Sequence, residues 1–140
     1  MADDRPAATV EIRRAPDVAA VRRIVGKAMD EVAGNTLRRT RIVTAASEIA
    51  RNTLVHGGGG RMELHVRRGG PQGTGIVLTF RDEGKGIADI EQALRDGFTT
   101  GDGLGMGLGG AKRLCDEFHI ASAPGGGTTV RIASWLKRPS

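Results

Sequence analysis

Apolar residues recur along this chain with two different periods, and the changes from one to the other lay out the elements. Thr9-Val-Glu-Ile12 alternates as a short strand does. Pro16 then suits the first turn of a helix, where a missing N–H loses no hydrogen bond. Val18, Val21, Val25, Ala28, Met29 and Val32 follow at helical spacing, and Gly34 ends the run. Thr36 is placed to cap a second helix, whose apolar stripe is Ile42, Ala45, Ala46, Ile49 and Thr53 and which stops at Gly57. Met62, Leu64 and Val66 alternate as in a half-buried strand, and Arg67–Gly75, rich in glycine and with one proline, reads as a hairpin loop. Ile76–Phe80 is nearly all apolar, as in a central strand buried on both faces. Ile87–Leu94 fits a short helix and Gly107–Phe118 another. Two strands, Ile120–Ala123 and Thr128–Ile132, flank the turn Pro124-Gly-Gly-Gly127. Strands and helices interleave without an internal repeat, which predicts one sheet with helices packed mainly on one face.

Composition narrows what such a domain does. A chain of 140 residues is sized for a single domain. Its 22 glycines and 3% aromatic content require an aliphatic core and much backbone that turns sharply or lies close to a ligand. Lys and Arg total 21 against 16 Asp and Glu, a net charge of +5 and a pI near 10.3. Nucleic acid is nevertheless not the expected partner, because the basic residues are scattered and aromatics suited to stacking are nearly absent. Arg13/Arg14, Arg22/Arg23 and Arg38/Arg39 with Arg41 read as solvated faces, among which a docking surface for an acidic protein could lie. The single cysteine, Cys115, cannot form an internal disulfide and fits a reducing compartment. With Leu114 and Phe118 beside it in an expected helix, it reads as a core thiol rather than a nucleophile. There is neither a signal peptide nor an apolar run of membrane-spanning length, so a cytoplasmic protein without membrane contact is expected.

Three motifs carry chemistry. Glu48 and Asn52, four residues apart, share one helix face that His56 continues. An Asn oxygen is a hard ligand suited to Mg2+, which takes one or two protein oxygens beside substrate phosphates. A glutamate one turn earlier could remove a proton from a hydroxyl or water aimed at the terminal phosphate. His56 could donate a hydrogen bond near the phosphates or serve the C-terminal end of the helix dipole. The second motif is Asp82-Glu-Gly-Lys-Gly86, just beyond the buried strand. There a rigidly held carboxylate can accept a hydrogen bond from an amino group such as that of adenine. Gly84 and Gly86 would let the backbone approach a flat ring, with Ile87 as an apolar face beside it. The third is the run Gly103, Leu104, Gly105, Met106, Gly107 and Leu108 leading into a helix. Alternate glycines free backbone N–H groups to wrap an anion at the helix start, and the apolar side chains between them could cover a nucleotide. No Gly-Lys-Ser/Thr follows, so it is not a Walker loop, and no strand directly precedes it, so it is not a dinucleotide fingerprint.

The ordered set of Glu48/Asn52, Asp82-x-Gly-x-Gly86 and Gly103-Leu-Gly-x-Gly107, closed by Gly127-Thr128, resembles the GHKL ATP-binding superfamily of gyrase, Hsp90, MutL and sensor histidine kinases. The resemblance covers Thr9 to Leu136. It implies a Bergerat-type α/β (α+β) two-layer sandwich, with a mixed, mostly antiparallel sheet, helices on one face and ATP held beneath a mobile lid. The domain would occupy residues 8–137, after a disordered lead of residues 1–7. It also implies that Asn52 binds Mg2+, Asp82 contacts the adenine amino group and Thr128 supports the adenine end.

With about eight residues before the first strand, neither a phosphoacceptor hairpin nor a following transducer domain is expected, and the segment between Gly86 and Gly103 is too short for an Hsp90 lid. Ala46–Asn52, Asp96–Thr100 and Ala111–Phe118 are most similar to the stressosome switch kinases of the RsbT type, within the small anti-sigma and serine-kinase group. That resemblance implies a serine/threonine kinase that phosphorylates a STAS-domain protein and also binds a phosphatase or cyclase. An anti-sigma factor that sequesters a sigma subunit, and a nucleotide-gated binding module without significant phosphotransfer, remain as alternatives.

Overall fold

The computed structural model describes residues 5–87, 89–95 and 107–136. The described elements are β1 (Ala8–Ile12), α1 (Ala15–Glu31), α2 (Thr36–Val55), β2 (Gly60–Gly70), β3 (Gly73–Asp82), α3 (Ile90–Ala93), α4 (Gly107–Arg113), β4 (Glu117–Ser122) and β5 (Thr128–Trp135).

Local chemistry sets the helix ends. The Asp17 carboxylate accepts from the backbone N–H of Arg13 at 2.8 Å and of Arg14 at 2.9 Å, closing the start of α1. Those two donors hold the Asp17 carboxyl below its ordinary value. The helix stops at Glu31, short of Gly34, because Ala33 itself takes the left-handed conformation at φ 62. An alanine there costs roughly 1–2 kcal/mol over glycine, offset by the Gly34 N–H bonding back to the Met29 carbonyl at 2.9 Å. The cap of α2 is Asn35, not Thr36: its Oδ1 accepts from the Arg38 N–H at 2.8 Å.

The sheet order is β1-β2-β3-β5-β4 and all four pairings are antiparallel, so the mixed sheet expected from the resemblance is antiparallel throughout its described strands. Strands β2 and β3 reach further than their apolar runs. Gly70 pairs with Gly73 across Pro71-Gln72, and most of the expected Arg67–Gly75 loop lies within β2 and β3. A register shift between Arg67 and Gly70 accommodates the glycines, and Gly75 lies against its cross-strand partner Trp135. Helix α4 ends at Arg113 rather than continuing to Phe118. The Asp116 N–H donates to the Ala133 carbonyl at 3.0 Å and its Oδ2 accepts the Trp135 N–H at 2.6 Å, which commits the chain to β4.

Side chains alternate across the pleat. On the inner face Leu78 lies between Leu64 and Ile132, and Phe80 between Met62 and Val130. All are buried in one core with Val25 and Met29 of α1 and Ile42 and Ile49 of α2. Removing one such side chain to the β-carbon costs about 2–5 kcal/mol. The outer face carries an Arg81–Glu63 ion pair at 2.5 Å, and Val77 on that face is only 2% exposed. One step beyond Phe80 on the inner face comes Asp82, flanked by Gly60 and Thr128. The apolar face therefore ends on a carboxylate and a hydroxyl.

Candidate nucleotide-binding site

The site forms where the end of α2 meets the end of β3. Glu48 and Asn52 lie one turn apart on α2, both half-buried, and exposed His56 is the helix C-cap, its N–H bonded to the Asn52 carbonyl at 2.9 Å. The next residue, Gly57, lies under the Asp82 side chain. A β-carbon at Gly57 would fall 2.4 Å from Asp82 Cγ and 2.6 Å from its Oδ2. The Asp82-Glu-Gly turn is closed by the Gly84 N–H donating to Asp82 Oδ1 at 2.9 Å, and Gly84 itself packs on Gly57. One carboxylate oxygen is thereby committed to the turn, and Oδ2 retains acceptor capacity toward a ligand.

A second wall comes from the β4–β5 turn. Gly86 adopts φ 78, and a β-carbon there would lie 2.0 Å from the Ala123 carbonyl, so this crossing admits glycine alone. Ile87, half-buried, donates its N–H to Ser122 Oγ at 2.7 Å. Ser122 Oγ also lies 3.0 Å from the Gly127 carbonyl oxygen and 2.8 Å from Thr128 Oγ1. Asp82, Gly84, Gly86, Ile87 and Thr128 are thus brought together at one sheet end, with Asn52 and Glu48 on the adjoining helix.

The third motif is only partly within view. Gly103, Leu104, Gly105 and Met106 lie outside the described residues. Gly107 opens α4 at φ 71, and Gly109 approaches the Leu94 carbonyl, so these two glycines serve backbone packing. Leu108 is 6% exposed and belongs to the core. Its side chain lies in the core where α4 packs against α2.

Two residues escaped the sequence reading. In the sequence Gly57 marks only the end of the second helix, and its requirement shows only once Asp82 is seen above it. Ser122 sits in a short strand with no motif around it, and its role depends on contacts across the turn. Cys115 follows α4 instead of lying within it. Burial, and next the nearby Asp116 charge, push its thiol up to about 12 against a lesser opposing effect of Arg41, and its Sγ donates to the Ala111 carbonyl at 3.3 Å. It is no nucleophile at neutral pH.

A helix bearing Glu and Asn thus meets a carboxylate at a sheet terminus, with a serine–threonine pair beside it. The chain belongs to the histidine kinase-, DNA gyrase B-, and HSP90-like ATPase family, whose model matches residues 37–139, and the family implies ATP binding. It is 39% identical over 122 residues to the serine/threonine-protein kinase RsbT of Bacillus subtilis, covering 86% of this chain and 90% of that protein. It is 36% identical to an anti-sigma F factor of a Thermoanaerobacter species over 68% of each chain. The RsbU and RsbW domains of a Mycobacterium tuberculosis protein share the fold at TM-score 0.64 and 21% identity, over 96% of this chain and 34% of that one. No helix among the described residues is long and apolar enough to cross a membrane.

Proposed function

We propose that the chain is an ATP-dependent protein serine/threonine kinase that phosphorylates a STAS-domain protein and works by exchanging partners in the cytoplasm. The observation that carries this reading is Glu48 placed one turn before Asn52, on a helix whose end abuts Asp82. Its likeness to a named serine/threonine kinase over most of both chains supports it.

The residues divide the work. Asp82 Oδ2 accepts from the adenine amino group, and Ile87 offers an apolar edge. Asn52 would hold Mg2+, an ion that uses few protein oxygens beside phosphates and there neutralises phosphate charge. Glu48 takes the proton of the acceptor hydroxyl as its oxygen bonds to the terminal phosphorus and the bond to ADP breaks. Docking supplies the acceptor, so proximity contributes a large part of the rate.

A basic surface suits that docking. Arg38 pairs with Asp116 at 3.1 Å and Arg39 with Asp30 at 3.0 Å, while Arg41 donates to the Arg113 carbonyl at 3.4 Å. The arginines that open α2 are thus engaged within the fold. On α1, Arg22, Arg23 and Lys27 are exposed, with Arg23 and Lys27 one turn apart. This α1 face is the one we assign to the STAS protein. A phosphatase or cyclase would be the second partner, taken up after the product leaves.

The anti-sigma F factors among its relatives favour a second reading, sequestration of a sigma subunit. Affinity capture with the tagged chain and Mg-ATP separates the two. Recovery of a STAS protein together with a phosphatase-like protein supports the kinase switch, and recovery of a sigma factor supports sequestration.

A further inference from the structure

We infer that Ser122 is a positioning residue that sets which purine the site accepts, by fixing the direction of the Thr128 hydroxyl. The inference rests on the nucleotide reading above and adds a residue that the motifs do not contain.

A serine hydroxyl has one proton and two lone pairs. The Ile87 N–H, at 2.7 Å, can only donate, so it occupies one lone pair of Ser122 Oγ. The Gly127 carbonyl, at 3.0 Å, can only accept, so it takes the single proton. Thr128 Oγ1, at 2.8 Å, must then donate its own proton to the remaining lone pair. No other assignment satisfies all three contacts. Gly127 is buried, so leaving its carbonyl without that proton would be costly.

The consequence falls on the ligand. With its proton turned toward Ser122, Thr128 has only acceptor capacity left for the pocket. Asp82, its cross-strand partner on the same face, is also an acceptor, with Oδ1 already satisfied by the Gly84 N–H. The base end of the site therefore presents acceptors on both adjacent strands. That surface matches an exocyclic amino group and repels a ring carbonyl at the same position. Selection for adenine thus resides in Ser122 as well as in Asp82.

The test is calorimetric titration of the full chain with ATP and with inosine triphosphate, which carries a carbonyl in place of the amino group. In Ser122→Ala the Thr128 hydroxyl is released and can donate to that carbonyl. The affinity ratio of ATP to inosine triphosphate should fall by roughly three- to tenfold, the effect of one neutral hydrogen bond. Ser122→Thr keeps the hydroxyl and should restore the ratio. Thr128→Val should weaken ATP without gaining inosine triphosphate affinity, and in that background Ser122→Ala should leave the ratio unchanged; Ser122→Cys, of similar size but a weak hydrogen-bonding group, should lower the ratio in the same direction and serves if the alanine variant folds poorly. Equal weakening of both nucleotides by Ser122→Ala would reduce Ser122 to holding the Ile87 and Gly127 backbones together, and would overturn the inference. A wild-type chain that binds neither nucleotide would overturn the nucleotide reading itself.

Discussion

The α-carbon of Gly57 lies directly beneath the carboxylate of Asp82, so close that even a methyl group would fall 2.4 Å from Asp82 Cγ. This contact joins the helix carrying Glu48 and Asn52 to the strand carrying Asp82. Gly57 is not in the left-handed region, so its backbone tolerates alanine. Gly57→Ala should therefore act through displacement of Asp82, weakening ATP binding by about 1–3 kcal/mol while the fold persists. Asp82→Ala should weaken ATP by roughly 1.5–3 kcal/mol and reduce discrimination against GTP. Titration of both variants checks this, and ATP affinity unchanged in Gly57→Ala would show that Asp82 is not held by this contact.

Asn52→Ala should lose the Mg-dependent part of ATP affinity, because an oxygen ligand is removed. Titrations with Mg2+ and with EDTA measure the difference directly. A variant that keeps the full gain from Mg2+ would place the ion elsewhere.

Reversal of Arg22 and Arg23 to Glu should weaken capture of the unphosphorylated STAS protein. Phosphorylation of that protein adds about −1.5 to −2 charges, placed near Glu48 and the ATP phosphates, and should lower its affinity for the wild-type chain. Equal retention of both phospho-forms in a pull-down would remove the switch. Unaffected binding by the reversed variant would move the interface off α1.

Much of this architecture is legible in the sequence because burial is periodic. Helices α1 and α2 and the strand through Ile76–Phe80 each bury the residues their spacing selects, apart from Val18, which is half-buried. The misreadings have a common cause in tertiary pairing. Gly70 and Gly75 signal a loop locally but pair across β2, β3 and β5, where Trp135 covers Gly75. Leu114 and Phe118 continue a helical period, but Asp116 ties this stretch to Ala133 and Trp135. At the site, Glu48, Asn52 and Asp82 stand out by residue type and spacing. Gly57 and Ser122 do not, because their roles are set by residues more than four positions away in sequence.

The Cys115 thiol gives a pH dependence with a defined sign. Its folded value, about 12, lies above the ordinary 9.0, so the folded chain holds this proton more tightly than the unfolded one. The resulting stability is fully present below about pH 9 and is lost as pH rises toward about 12. Thermal midpoints of wild type and Cys115→Ala should converge as pH rises through this window. A constant gap from pH 7 upward would mean that the thiol is not shielded.

In the proposed kinase Glu48 serves phosphotransfer on a site already assembled for ATP. The most direct measurement is transfer of labelled phosphate from ATP to a STAS-domain protein, with wild type and Glu48→Gln compared at matched nucleotide occupancy. Glu48→Gln should keep ATP affinity and lose transfer by about 10²–10⁴-fold, the usual contribution of a positioned base. Undiminished transfer by Glu48→Gln would contradict the assignment of Glu48, and no transfer by wild type would leave the chain a nucleotide-gated binding module.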